Sequence, residues 1–130
     1  MHLQGRRYDL VVCNPPYIPR PGALADNAYE GIGLLAHFLT HGGEHLTPGG
    51  RVVTAMSSVS EPVIRTLLAS CPLEVTVLRE LHVPLKVLNV LNNPRWMAFL
   101  TEREGLRHTP HDGYDYWHTV KVLSLRARSA

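Results

Sequence analysis

Cysteine is almost absent. The 130 residues contain Cys13 and Cys71 and no other thiol, which excludes a disulfide framework or a thiolate zinc site and fits a reducing, cytoplasmic setting. No apolar run approaches the ~20 residues that a membrane-crossing helix needs. The opening Met-His-Leu-Gln-Gly-Arg-Arg has no hydrophobic core of signal-peptide length. Charge is scarce too. Charged residues make up 18% of the chain, and a formal net charge of +2 with a pI near 8.7 is too small for the basic face of a phosphate-tracking protein. Arg6-Arg7 and Arg126-Ala127-Arg128 are tight basic clusters that read as solvated ends. Neither a nucleic-acid partner nor a membrane is therefore expected. Internal repeats and low-complexity tracts are missing as well.

What is present has the makeup of one packed domain spanning residues 1–130. Apolar residues reach 45%, and a globule of this length buries roughly two thirds of its extended surface. Tyr8 to Cys13 is nearly all apolar, the mark of a mid-sheet strand buried on both faces. Pro15, Pro16, Pro19 and Pro21 forbid helix and ladder alike, so Asn14 to Gly22 is expected to leave that strand's carboxyl end as a stiff loop. Ligands bind at this end of open α/β sheets. Asp26 or Asn27 can cap a helix to about Thr40 with Ala28, Ile32, Leu35, Ala36 and Leu39 on one face, and Gly42-Gly43 stops or kinks it.

After a Thr47-Pro48-Gly49-Gly50 turn, Arg51 to Met56 is expected as a strand. Ser58 or Ser60 then caps a helix from Glu61 to Ser70 with Val63, Ile64, Leu67 and Leu68 facing inward. Glu74 to Val83 reads as a strand alternating around Val75, Val77 and Leu81. Leu85 to Leu91 fits a short helix or an irregular lid. Trp96 to Thr101 reads as a fourth strand, Arg107 to Trp117 as a loop, and His118 to Leu125 as one more strand. The order is βαβαββ, an α/β chain with a mostly parallel sheet and an antiparallel terminal pair.

The chemistry is concentrated in Asn14-Pro15-Pro16-Tyr17, at the end of the first strand. The nitrogen of an amide or aromatic amine is hard to alkylate because its lone pair is delocalised into the neighbouring π system. A site that accepts hydrogen bonds from both N–H groups can hold that nitrogen in line with a methyl carbon. Asn14 Oδ1 and the Pro15 carbonyl are two such acceptors, Pro16 shapes the turn, and the Tyr17 ring offers a face for a planar group. Prolines fix these acceptors before a substrate arrives, which reduces reorganisation in the transition state. The competing reading is a proline-rich loop in which Asn14 satisfies backbone groups.

The segment Asp9-Leu10-Val11-Val12-Cys13-Asn14-Pro15-Pro16-Tyr17-Ile18-Pro19 resembles the fourth strand and substrate motif of class I, Rossmann-like S-adenosylmethionine-dependent methyltransferases. It is most similar to the release-factor glutamine methyltransferase group and related small-domain methyltransferases. Tyr29-Glu30-Gly31-Ile32-Gly33-Leu34-Leu35 and the Leu46-Thr47-Pro48-Gly49-Gly50-Arg51 turn match that group's layout, and the likeness covers roughly residues 7–102. The resemblance implies the C-terminal half of such a sheet, with residues 103–130 a loop and an extra strand. It implies catalytic roles for Asn14 and Pro15, which would bind the amino group. It also implies substrate contacts from Pro16 and from Tyr17, which would stack. The acceptor implied is protein glutamine, as in a translation release factor; adenine in nucleic acid and a non-catalytic interaction module are the alternatives.

The family holds its methyl donor on a Gly-rich loop after the first strand, with an acidic residue ending the second, and such a unit needs ~30 residues. Only seven residues precede Tyr8, so this half is expected to be missing. No residue is assigned to S-adenosylmethionine, which would serve the complete enzyme. Gly31-x-Gly33, Gly42-Gly43 and Gly49-Gly50 read as structural. The motif strand would pair with the lost first strand, so its bare edge is expected to be covered by a complementing chain, a second copy or the amino-terminal segment. His37, His41 and His45, four apart, read as a solvated or interface face, with no metal expected; His108, His111 and Asp112 are a weaker metal candidate. Trp96, Met97 and Phe99 read as core, and Tyr114, Tyr116 and Trp117 as strand packing or the lining of a protein-substrate groove.

Overall fold

The computed structural model describes residues 5–19 and 32–128. The proposed cap residues Asp26 and Asn27, together with Ala28, Tyr29, Glu30 and Gly31, lie outside the described residues, but the helix itself starts only at Gly33, with Ile32 at its N-cap and not within it. The order is β1 (Tyr8–Val12), α1 (Gly33–His41), a 3-10 turn (Gly42–His45), β2 (Leu46–Ser57), α2 (Glu61–Ala69), β3 (Glu74–Pro84), α3 (Leu88–Leu91), α4 (Pro94–Glu102), β4 (His108–His111) and β5 (Tyr114–Arg126). The chain is α/β, and its five strands form a mixed sheet ordered β1-β2-β5-β3, with β4 paired to β5. β1 and β2 are parallel, while β5 runs antiparallel to both β2 and β3. β1, β2, β3 and β4 therefore share one direction, and the reversed β5 lies between β2 and β3. The chain ends in an antiparallel β4–β5 hairpin, in place of the expected pairing of residues 74–83 with residues 96–101.

The principal core lies on one face of the sheet. From α1, Ile32, Leu35, Phe38 and Leu39 are fully buried against Val52 and Met56 of β2, Leu123 and Leu125 of β5, and Ile64 of α2. The expected inward faces of both helices are seen, with Val63, Leu67 and Leu68 packed against this cluster. A second cluster of Val59, Leu85, Val90, Leu100 and Leu106 joins α3 and α4 to the motif loop through Ile18 and Trp96.

The Thr47-Pro48-Gly49-Gly50 turn is folded into β2 as an irregularity: Tyr8 pairs with Leu46, but Leu10 pairs with Arg51. Gly49 takes φ +76°, and a Cβ on Gly50 would stand 2.9 Å from the Tyr8 carbonyl oxygen. Both positions therefore need glycine, one for a left-handed conformation and one for close approach.

Five further expectations need correction. β1 is an edge strand among the described residues, not a doubly covered one. Val11 and Cys13 pack on the core, but Leu10 and Val12, on the opposite face, are 51% and 72% exposed, with no element among the described residues over them. Trp96 to Thr101 is helical. Asn93 Oδ1 accepts the Trp96 N–H at 3.0 Å and Pro94 opens the first turn of α4, a cap and N1 pair that overrides the strand propensity of the aromatics. Residues 107–117 are not a loop: Asp112 (φ 47°) and Gly113 (φ 81°) make the two-residue turn of a hairpin, and β5 begins at Tyr114.

The hydroxyl of Ser60 does not cap α2; it donates to the Ser57 carbonyl at 2.8 Å. Finally, Val77 and Leu81 are not buried with Val75: Val77 keeps the register of Val75 opposite Leu123 yet is exposed on the edge strand, and the slip between Val77 and Arg79 puts Leu81 out of phase with both. Among the described residues no helix is long and apolar enough to cross a membrane.

Candidate functional site

The ladder of β1 continues one residue past the strand, where the Cys13 N–H donates to the Val53 carbonyl at 2.9 Å. There the prolines take over and the chain leaves the sheet. Asn14 is exposed, Pro15 buried, Pro16 exposed and Tyr17 half-buried. All four, with Ile18, line one wall of a cavity of about 490 Å³ at the carboxyl end of β1; Val87, Val90 and Trp96 line the other. The structure thus brings together every site residue expected from the sequence and places the Asn14 amide at a cavity, not sealed in the interior.

The loop is tied down from across the chain. Trp96 Nε1 donates to the carbonyl of buried Pro19 at 2.9 Å. The cap that starts α4 therefore also closes the site, because it fixes where Trp96 projects. Sequence reasoning assigned Trp96 to the core and left Leu85 to Leu91 undecided; the Asn93-Pro94 signal was the available clue. It also missed the buried pair Ser57 and His118. Ser57 Oγ lies 2.6 Å from His118 Nδ1, and the His118 ring meets the Tyr17 ring edge-on, centroids 6.0 Å apart at 64°. Burial, with a smaller contribution from His82, pushes the His118 pKa down. Burial also raises the Cys13 thiol pKa, which keeps it protonated and unreactive at neutral pH.

Among the described residues no charged side chain lines the cavity. Its polar groups are the Asn14 amide and the motif backbone, on otherwise apolar and aromatic walls. Such a lining favours a neutral planar group with N–H donors over a phosphate or carboxylate.

The described residues do not fit a bound S-adenosylmethionine. Gly42-Gly43 follows α1 as a 3-10 turn, and Gly49-Gly50 lies in the β2 irregularity. Neither carries a strand into the amino end of a helix, which is what binding of the family's donor requires.

Among the described residues no group of three or more His, Cys, Asp or Glu side chains is placed to hold a metal ion. His37 Nε2 and His45 Nε2 face each other at 2.9 Å. His108 pairs with Asp115, and His111 with Asp112, on the exposed hairpin. Tyr114, Tyr116 and Trp117 belong to that hairpin and its packing, with the Trp117 indole stacked on the His82 ring.

No protein-family model matches the chain, and comparison with curated proteins gives no match.

Proposed function

We propose that the cavity at Asn14 is the acceptor site of an S-adenosylmethionine-dependent N-methyltransferase, that its substrate is a side-chain amide, and that glutamine in a protein such as a translation release factor is that amide. The observation that carries this reading is the grouping of Asn14, Pro15 and Tyr17 around one cavity at the tip of a strand. Asn14 Oδ1 and the Pro15 carbonyl accept the two amide N–H groups, and Tyr17 supports the plane of the amide. Holding both N–H groups orients the nitrogen lone pair toward an incoming methyl group. The donor is held by residues outside the described ones or by a complementing chain. Free Cys13 and Cys71 suit a cytoplasmic enzyme.

The exposed edge of β1 favours a second reading, a half-domain module whose role is to recruit a partner. Leu10 and Val12 present apolar surface along a ladder that no other described strand pairs on its outer side, which another strand, from a second copy or a different chain, can complete. An adenine-modifying enzyme is disfavoured because no basic residue among the described ones lines the cavity.

The test is the chain combined with a polypeptide that restores donor binding, assayed for methyl transfer to a glutamine peptide. Turnover is expected, and Asn14→Ala should abolish it while leaving donor affinity within about twofold of the unsubstituted pair. Equal loss of both, or transfer to adenine instead, contradicts the reading.

A further inference from the structure

We propose that His118, clamped by Ser57, is a positioning residue that fixes the Tyr17 ring as the floor of the cavity. The role given to that floor rests on the acceptor-site reading above; the clamp itself does not. Neither Ser57 nor His118 lines the cavity, so neither touches a ligand in it. Both are buried, at 0% and 5% exposure, beneath a residue that does line it.

The clamp is built from the turn that ends β2. Ser57 Oγ accepts the Val59 N–H at 3.2 Å, and its remaining bond is to His118 Nδ1 at 2.6 Å. Donation of the hydroxyl proton to Nδ1 is the arrangement that gives the buried hydroxyl an acceptor, and it places the imidazole's own proton on Nε2. The backbone of Ser57 is held in turn: its N–H donates to Ser60 Oγ at 3.2 Å, and its carbonyl accepts the Ser60 hydroxyl at 2.8 Å. From β5, Thr119 locks the same corner, its N–H donating to Ser58 Oγ at 3.0 Å and its carbonyl accepting the Ser58 N–H at 2.8 Å.

The imidazole's hydrogen bond is to a serine that the surrounding bonds hold in place, and this restricts the ring's orientation. Tyr17 rests on its edge in the T-shaped arrangement that aromatic quadrupoles favour. A nucleophilic role for Ser57 is excluded by its complete burial. The ionisable groups facing His118 are His82 of β3, which opposes its protonation, and Tyr17 of the motif loop.

The experiment uses the full chain labelled at histidine and tyrosine and observed by NMR, with N-acetyl-glutamine methylamide as the binding probe. In the unsubstituted protein, the His118 nitrogen shifts should report the Nε2–H tautomer and titrate below the ordinary histidine range. The Tyr17 ring resonances should move with the same midpoint. Ser57→Ala, which deletes one oxygen and adds no volume, should broaden or shift the Tyr17 ring signals. It should also weaken probe binding by roughly three- to tenfold, the range of one lost hydrogen bond. His118→Leu should weaken it further, whereas His118→Gln, which can still bond Ser57, should recover part of the loss.

Tyr17 signals that ignore the His118 titration overturn the proposal, as does unchanged probe affinity in Ser57→Ala. If the unsubstituted chain fails to bind the probe, the acceptor-site reading falls; the clamp then stands or falls on the Tyr17 ring signals in Ser57→Ala and across the titration.

Discussion

Replacing Trp96 by Phe should destabilise the protein and weaken the site together, because one indole N–H anchors the motif loop across the whole chain. Its partner, the Pro19 carbonyl, belongs to a buried residue. Phenylalanine keeps the aromatic body in the second core cluster but leaves that carbonyl without its donor. Loss of the bond plus the cost of an unsatisfied buried acceptor comes to about 2 kcal/mol. For a domain of this size that lowers Tm by roughly 8 °C.

The second tryptophan supplies the control. Trp117 Nε1 is buried with no hydrogen-bond partner, so Trp117→Phe removes a polar group that contributes no bond and keeps a ring to stack on His82. Because it relieves a buried donor that has no acceptor, it should leave Tm unchanged or raise it. Thermal unfolding followed by far-UV circular dichroism compares the two variants directly. Equal Tm values for Trp96→Phe and Trp117→Phe would refute the argument that the loop is held by the Trp96–Pro19 bond.

Glu104 is 8% exposed, its Oε2 has no partner, and burial raises its pKa despite the opposing charge of Arg103. Because the folded state favours the protonated acid, its contribution to stability is present below the ordinary carboxyl range and is lost as pH rises through the raised value. Glu104→Gln should therefore raise Tm at pH 7.5 and have little effect at pH 4; a gain that is the same at both pH values would contradict this. Gly50→Ala must push a methyl against the Tyr8 carbonyl at 2.9 Å and should cost about 1–3 kcal/mol, measured as a lower urea midpoint; an unchanged midpoint would show that β1 and β2 do not approach so closely. Val12→Lys places a charge on the exposed edge of β1 and should abolish any self-association seen by sedimentation velocity, with the melting temperature unchanged. Persistence of the associated species would place the contact elsewhere.

The part of the fold governed by local pattern was legible in the sequence. Helical spacing placed Leu35, Ala36 and Leu39 on one buried face of α1 and Ile64 with its neighbours on α2, and the diproline loop emerged at the end of β1. Errors arose where pattern and context competed. Trp96, Met97 and Phe99 have strand-forming side chains, and the Asn93-Pro94 cap outweighed them. Asp112-Gly113 is a strong hairpin signal, and the histidines and Pro110 beside it give the segment the composition of a loop.

The edge position of β1 could not be read from its composition, since an apolar strand looks the same whether or not a neighbour covers it. The four motif residues were identifiable because each has a chemical reason to stand there. Ser57 and His118 were not, since 61 residues separate them in sequence and only the reversed entry of β5 beside β2 brings them together.

The account depends on two acceptors holding an NH2 group. The most direct measurement compares the binding of N-acetyl-glutamine methylamide with that of its analogue dimethylated on the side-chain nitrogen, mapped by NMR on labelled protein. The primary amide should shift Asn14 and Tyr17 saturably, and the dimethyl analogue, which has no side-chain N–H to donate, should bind at least tenfold more weakly. Equal binding of the two, or shifts that avoid Asn14, would contradict it.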